Sequence, residues 1–141
     1  MKAQELLSAL PRGNGSIRLD LQRPWAELVL DHPERRNAVS PGMMLDLGRA
    51  VEHLERWPGA LVLLRGEGSR AFCSGGDLQA VRSHLMEPEL AEAMSIYMSH
   101  TLGRLAALPQ MTVAAVDGPA IGGGAEILMH VDAVIMSLGS S

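Results

Sequence analysis

The chain has 141 residues, 47% of them hydrophobic and 20% charged, enough for one domain with its own core. A net charge of −4 with no basic cluster argues against a nucleic-acid partner. A single cysteine, Cys73, excludes an internal disulfide framework and fits a reducing, cytoplasmic compartment.

Residues 1–14, "MKAQELLSALPRGN", read as an N-terminal extension whose weak apolar stretch is broken by Pro11. It has the shape of neither a signal peptide nor a transit peptide. "SIRLDLQ" (16–22) and "WAELVLD" (25–31) alternate apolar with polar residues across Arg23 and Pro24, and predict a pair of short antiparallel strands. "HPERRNA" (32–38) is a polar loop. Ser40 then predicts an N-cap with Pro41 at the first helical position. Met44, Leu47, Val51 and Leu54 follow at helical spacing until Pro58 and Gly59 stop the helix.

"ALVLL" (60–64) is a continuous apolar run, as expected of a strand buried on both faces. "AFCSGGDL" leads into a short helix at about 77–86, with Asp77 as its cap. A longer helix at about 88–107 places Leu90, Met94, Tyr97, Met98, Leu102 and Leu105 on its buried side, and Pro109 ends it. "MTVAAV" (111–116) is a second buried strand, "DGPAIGGG" leads into a helix at about 123–130, and "DAVIM" (132–136) is a third strand. Glu126, His130 and Asp132 interrupt the apolar residues near the C-terminus, so no membrane span is expected there. Strands alternating with helices imply parallel crossovers and an α/β architecture.

Both Gly-rich stretches, "FCSGGDL" (72–78) and "AIGGGAEI" (120–127), fall where the chain feeds a helix N-terminus. Such a terminus carries backbone N–H groups without intrahelical partners, at the positive end of the helix dipole. Glycine lets a ligand approach them without a Cβ in the way. Two such donors brought to one point form a hole for a developing oxyanion, which selects Gly76 and Gly123. Removing one donor of this kind typically costs about 3–4 kcal/mol of transition-state stabilisation. The competing reading is close helix–strand packing by small residues. A phosphate-binding P-loop would need Lys and Ser or Thr where Ala125 and Glu126 stand, and a dinucleotide fingerprint would need glycine at Ile127.

"LDHPERRNAVS", "AFCSGGDL" and "AAVDGPAIGGGAEI", in that order, resemble the crotonase (enoyl-CoA hydratase/isomerase) superfamily over residues 15–136. Within it, "RRNAVSPGMMLDL", "LERW", "SGGDLQAV" and "HTLGRLAALPQMTVAAVDG" resemble the decarboxylases of ethylmalonyl-type thioesters more than the hydratases. The resemblance implies a spiral of ββα units, here incomplete at the C-terminus, with the tail 137–141 matching no family motif. It implies acyl-coenzyme A as substrate, with coenzyme A part of the substrate and no separate cofactor. It also implies a trimer-based homo-oligomer for a complete family protein. It sets the thioester oxygen between the N–H groups of Gly76 and Gly123, puts Arg36, Ala38, Ser74 and Gly75 along the coenzyme A path, and makes Glu126 the acidic residue near the acyl group.

The implied reaction is decarboxylation of ethylmalonyl-CoA, and by the same chemistry methylmalonyl-CoA, through an enolate held by the two N–H donors. Hydration or isomerisation of an enoyl thioester, and a non-catalytic fragment that at most binds coenzyme A, are the alternatives. An ionised Glu126 would repel a substrate carboxylate, and burial against an apolar wall is one way to keep it neutral. As a first-turn acid it would also stabilise its helix. Cys73 reads as buried packing rather than a nucleophile, and the five histidines show no metal-ligand spacing. His130, one turn after Glu126, falls on the same helix face.

Overall fold

The computed structural model describes residues 2–68, 70–76 and 87–137. The expected helix at 77–86, with its cap Asp77, lies outside the described residues. Strands β1 (Ser16–Asp20) and β2 (Ala26–Asp31) pair antiparallel, with Ser16 opposite Asp31. β1 ends two residues earlier than the alternation predicts. Asp20 Oδ1 accepts from the Gln22 amide at 2.9 Å, which turns the chain before Leu21 can join the ladder.

Helix α2 (Pro41–Arg56) begins as its sequence dictates, with Ser40 Oγ accepting from the Met43 amide at 3.3 Å. Met44, Leu47, Val51 and Leu54 are buried along one stripe, each contributing about 1.5–3 kcal/mol. At its far end Gln110 Nε2 donates to the carbonyls of Leu54 (2.7 Å) and Trp57 (2.9 Å), which satisfies groups the helix leaves open. Strands β3 (Leu61–Gly66), β4 (Met111–Val116) and β5 (Ala133–Met136) add in parallel, giving one five-stranded sheet in the order β1-β2-β3-β4-β5.

The core lies on one sheet face, where Ala26, Leu28, Leu30, Val62, Leu64, Ala114 and Val116 meet α2 and helix α3 (Pro88–Ala106). The opposite face of β1–β3 carries charges in alternating sign. Arg18 meets Asp31 at 3.0 Å and Glu67 at 2.6 Å, and the nearly buried Glu27 lies 3.5 Å from Arg23 and 3.8 Å from Arg65. Glu27 thus remains an ion-paired carboxylate rather than an isolated buried charge.

The supposed N-terminal extension contains a helix, α1 (Lys2–Ser8), that buries Ala3 and Leu7 and packs against α3. At 7 residues it is too short to hold itself together, so contact with α3 holds it in place. The last helix, α4 (Gly123–Leu128), stops before the expected residue 130. Among the described residues, no helix is long and apolar enough to cross a membrane.

Candidate active site

The two Gly-rich stretches meet through a single parallel bridge rather than through the main sheet, and a second bridge ties the first stretch to Val39. Val39 bridges Gly76, and Cys73 bridges Ala120. The Val39 amide donates to the Gly75 carbonyl at 2.7 Å, and the Ile121 amide to the Cys73 carbonyl at 3.0 Å. Gly75 (φ +111°) and Gly122 (φ +54°) turn the chain in the left-handed region, where a side chain is strained.

The glycines divide by what a side chain would meet. A Cβ on Gly124 would fall 2.4 Å from the Cys73 carbonyl oxygen, so this residue is glycine for close packing. A Cβ on Gly123 would come no nearer than 3.9 Å to Gly75, and one on Gly76 would meet nothing within 4 Å among the described residues. Both packing and ligand access are therefore present, at different positions of one motif. Among the described residues, no backbone acceptor is recorded for the amides of Gly76 and Gly123.

The loop 32–38 is fastened to the same place. Asn37 (φ 59°) and Arg36 (φ 52°) both lie in the left-handed region. Asn37 is buried; its Oδ1 accepts from the His32 amide at 2.8 Å, and its Nδ2 donates to the carbonyls of Glu67 (3.1 Å) and Ala71 (2.9 Å). The His32 ring Nδ1 lies 2.9 Å from the Ala38 carbonyl. The Ser74 amide donates to the Arg36 carbonyl at 3.0 Å, and Ser74 Oγ to the Arg35 carbonyl at 3.0 Å. Arg36, Ala38, Ser74 and Gly75, separated by up to 39 residues in the chain, thus belong to one hydrogen-bonded unit, with the Arg36 side chain exposed. Asn37, which makes this unit rigid, was missed by sequence reasoning. Its signal was available: a small polar residue able to adopt positive φ inside a polar loop.

Cys73 is fully buried, and burial pushes its thiol up from the usual range, as packing rather than nucleophilic chemistry requires. Among the described residues, no three His, Cys, Asp or Glu side chains come together as a metal site.

Glu126 is exposed. Burial against an apolar wall, the expected means of keeping it neutral, is not found. The strand that follows α4, β5, is the edge of the sheet and leaves Val134, Ile135 and Met136 exposed as well. Glu126 does line a cavity of about 440 Å³ between α3 and α4, together with Met44, Met94, Ser95, Met98, Ser99, Leu102 and His130. The expected apolar side of α3 is thus divided: Met94 and Met98 border this space, Tyr97 and Leu105 are buried in the core, and buried Leu102 also borders it. His130 touches Glu126 through the backbone, its Nδ1 lying 2.7 Å from the Glu126 carbonyl.

The family model described as Enoyl-CoA hydratase/isomerase matches residues 22–141. A human protein named ethylmalonyl-CoA decarboxylase is 43% identical over 140 residues, covering 96% of this chain and 44% of the relative. A Danio rerio protein of the same name is 40% identical over 141 residues, covering 94% of this chain and 46% of the relative. The chain therefore spans less than half the length of these relatives. Among solved structures, an enoyl-CoA hydratase/carnitine racemase from Magnetospirillum magneticum superposes with a TM-score of 0.80 at 30% identity, covering 89% of this chain and 48% of the other. An enoyl-CoA hydratase from Polaromonas sp. JS666 gives a TM-score of 0.81 at 27% identity, covering 89% and 49%.

Proposed function

The chain belongs to the enoyl-CoA hydratase/isomerase family, and on that premise we propose that its site decarboxylates short-chain malonyl-type acyl-CoA thioesters, ethylmalonyl-CoA first among them. One observation carries the reading. Gly76 and Gly123 belong to chain segments joined by the bridge of Cys73 with Ala120, and among the described residues each has open space where a side chain would stand and neither amide donates to a backbone carbonyl. Fixed N–H donors of this kind stabilise an enolate oxygen more than a neutral carbonyl, which is the condition for lowering a barrier.

In this reaction the bond between the α-carbon and the carboxylate breaks. Its electron pair moves toward the thioester, the oxygen takes the negative charge between Gly76 and Gly123, and CO2 leaves. A proton then returns to the α-carbon. Glu126, bordering the cavity three residues after Gly123, is suited to orient the acyl group, and the returning proton comes from water. Arg36, Ala38, Ser74 and Gly75 would lie along coenzyme A. The decarboxylase name of the relatives supports the choice of reaction over hydration.

The exposure of Glu126 favours a second reading, coenzyme A thioester binding without turnover. Release of CO2 from ethylmalonyl-CoA by this chain, with crotonyl-CoA hydration assayed in parallel, separates the possibilities. CO2 release at a rate abolished by blocking Gly76 supports decarboxylation. Hydration alone overturns it, and binding of butyryl-CoA without either reaction leaves the second reading.

A further inference from the structure

The acyl end of a malonyl-type thioester carries a negative charge, and the cavity between α3 and α4 already contains Glu126. Glu126, Ser95 and Ser99 are exposed along it, and two carboxylates bordering one open cleft still repel. A substrate of this class therefore needs donors close by. We propose that Ser95, Ser99 and His130 form a subsite for the free carboxylate of the substrate, with His130 as the group that admits this charge beside Glu126. The inference rests on the acyl-thioester reading of the site and adds the feature that distinguishes a carboxylated substrate from an uncharged one.

Ser95 and Ser99 are four residues apart on α3, on one helix face, and both line the cavity. His130 lines it from the end of α4. Its Nδ1 is 2.7 Å from the Glu126 carbonyl, and a carbonyl only accepts, so Nδ1 carries a proton. Nε2 is then the nitrogen left for a ligand. In a neutral ring it presents a lone pair and repels a carboxylate. In the imidazolium it donates and offsets the charge of Glu126. Binding of the carboxylate thus draws a proton onto Nε2. Of the side chains facing His130 in the cavity, Met44 of α2 and Met94, Ser95, Met98, Ser99 and Leu102 of α3 do not titrate. Among the described lining residues, Glu126 is the other group whose charge bears on it. Once CO2 has left, the acyl end is uncharged and the imidazolium no longer holds it.

Stopped-flow binding, which reads association before turnover, tests the subsite with ethylmalonyl-CoA and butyryl-CoA as a pair differing only in the carboxylate. The full chain is compared with His130→Ala and Ser99→Ala. A charge-assisted hydrogen bond lost at His130 should weaken ethylmalonyl-CoA about ten- to hundredfold and leave butyryl-CoA within about twofold. Ser99→Ala should show the same selectivity with a smaller loss. Equal weakening of both ligands would make His130 merely structural and overturn the subsite, as would unchanged selectivity in both variants. If the native chain binds neither ligand, the acyl-thioester reading falls and the subsite with it.

Discussion

The carbonyl of Cys73 accepts the amide of Ile121 at 3.0 Å, and with the Phe72 amide donating to Pro119 at 3.0 Å it sets the distance between two glycine stretches about fifty residues apart. It lies beside the close approach of Gly124 to the same carbonyl. Anything that pushes α4 away from Cys73 therefore separates Gly76 from Gly123.

Gly124→Ala should do this directly. Its Cβ would stand 2.4 Å from a backbone oxygen that has no flexible end to move. Overpacking of this kind costs about 1–3 kcal/mol, and we expect a lower melting temperature together with weakened butyryl-CoA binding. Unchanged stability would show that α4 moves freely against Cys73.

Gly123→Ala and Gly76→Ala should behave in the opposite way. Neither position has a positive φ, and neither Cβ meets an atom closer than 3.9 Å. Stability should stay within about 0.5 kcal/mol, with any gain at 123 reflecting the better helix propensity of alanine. Thioester binding or turnover should fall at least tenfold, because the methyl group occupies the space the oxygen needs. Full activity in both variants would remove the glycines from the chemistry.

Asn37→Ala removes three hydrogen bonds at once, the buried ones to His32 and Ala71 and a partly buried one to Glu67. It leaves their backbone groups unpaired and puts alanine in a left-handed conformation. We expect a loss of about 2–4 kcal/mol in urea unfolding. Hydrogen exchange should rise at Ser74, whose amide donates to Arg36, and at Val39, whose amide donates to Gly75. A loss confined to binding, with native stability, would mean that the loop is held by other contacts.

The exposed pair between Arg104 and Glu55 gives a pH-dependent term of known sign. Arg104, whose Nε donates at 3.0 Å, holds the Glu55 carboxyl below its usual range. The stabilisation is complete above the range where the unfolded carboxyl titrates, and fades as pH falls through the lower folded value. Solvent screening limits it to less than about 1 kcal/mol. Arg104→Gln should lower stability near neutral pH by that amount, and the difference should shrink in acid and in high salt.

Much of this fold follows from local pattern. Ser40 and Pro41 announce α2, alternation announces β1 and β2, and apolar runs announce β3 and β4, because each depends on residues within a few positions. α1 carries no such signal: Ala3 and Leu7 are held by a helix some ninety residues on. Asn37 likewise acts on Ala71 across 34 residues, and no periodicity reports that. Of the site, the two glycine stretches are legible as ligand-facing backbone. The division of labour among Gly76, Gly123 and Gly124 is not, since only the packed neighbours distinguish them. The exposure of Glu126 depends on what surrounds α4, which no single helix sequence specifies.

Arg36 offers a trade between durability and ligand capture. At φ 52° it ends the short 3-10 turn Pro33–Arg35 in a conformation where glycine is the usual choice and a side chain costs about 1–2 kcal/mol. Its backbone carbonyl holds Ser74 regardless of side chain. Arg36→Gly should therefore give a chain that outlasts the native one on heating by up to about 1 kcal/mol, after glycine's greater loss of freedom on folding. If the guanidinium meets coenzyme A phosphate, that sturdier chain will also be the poorer binder, a cost that marks a residue retained for its ligand rather than for the fold.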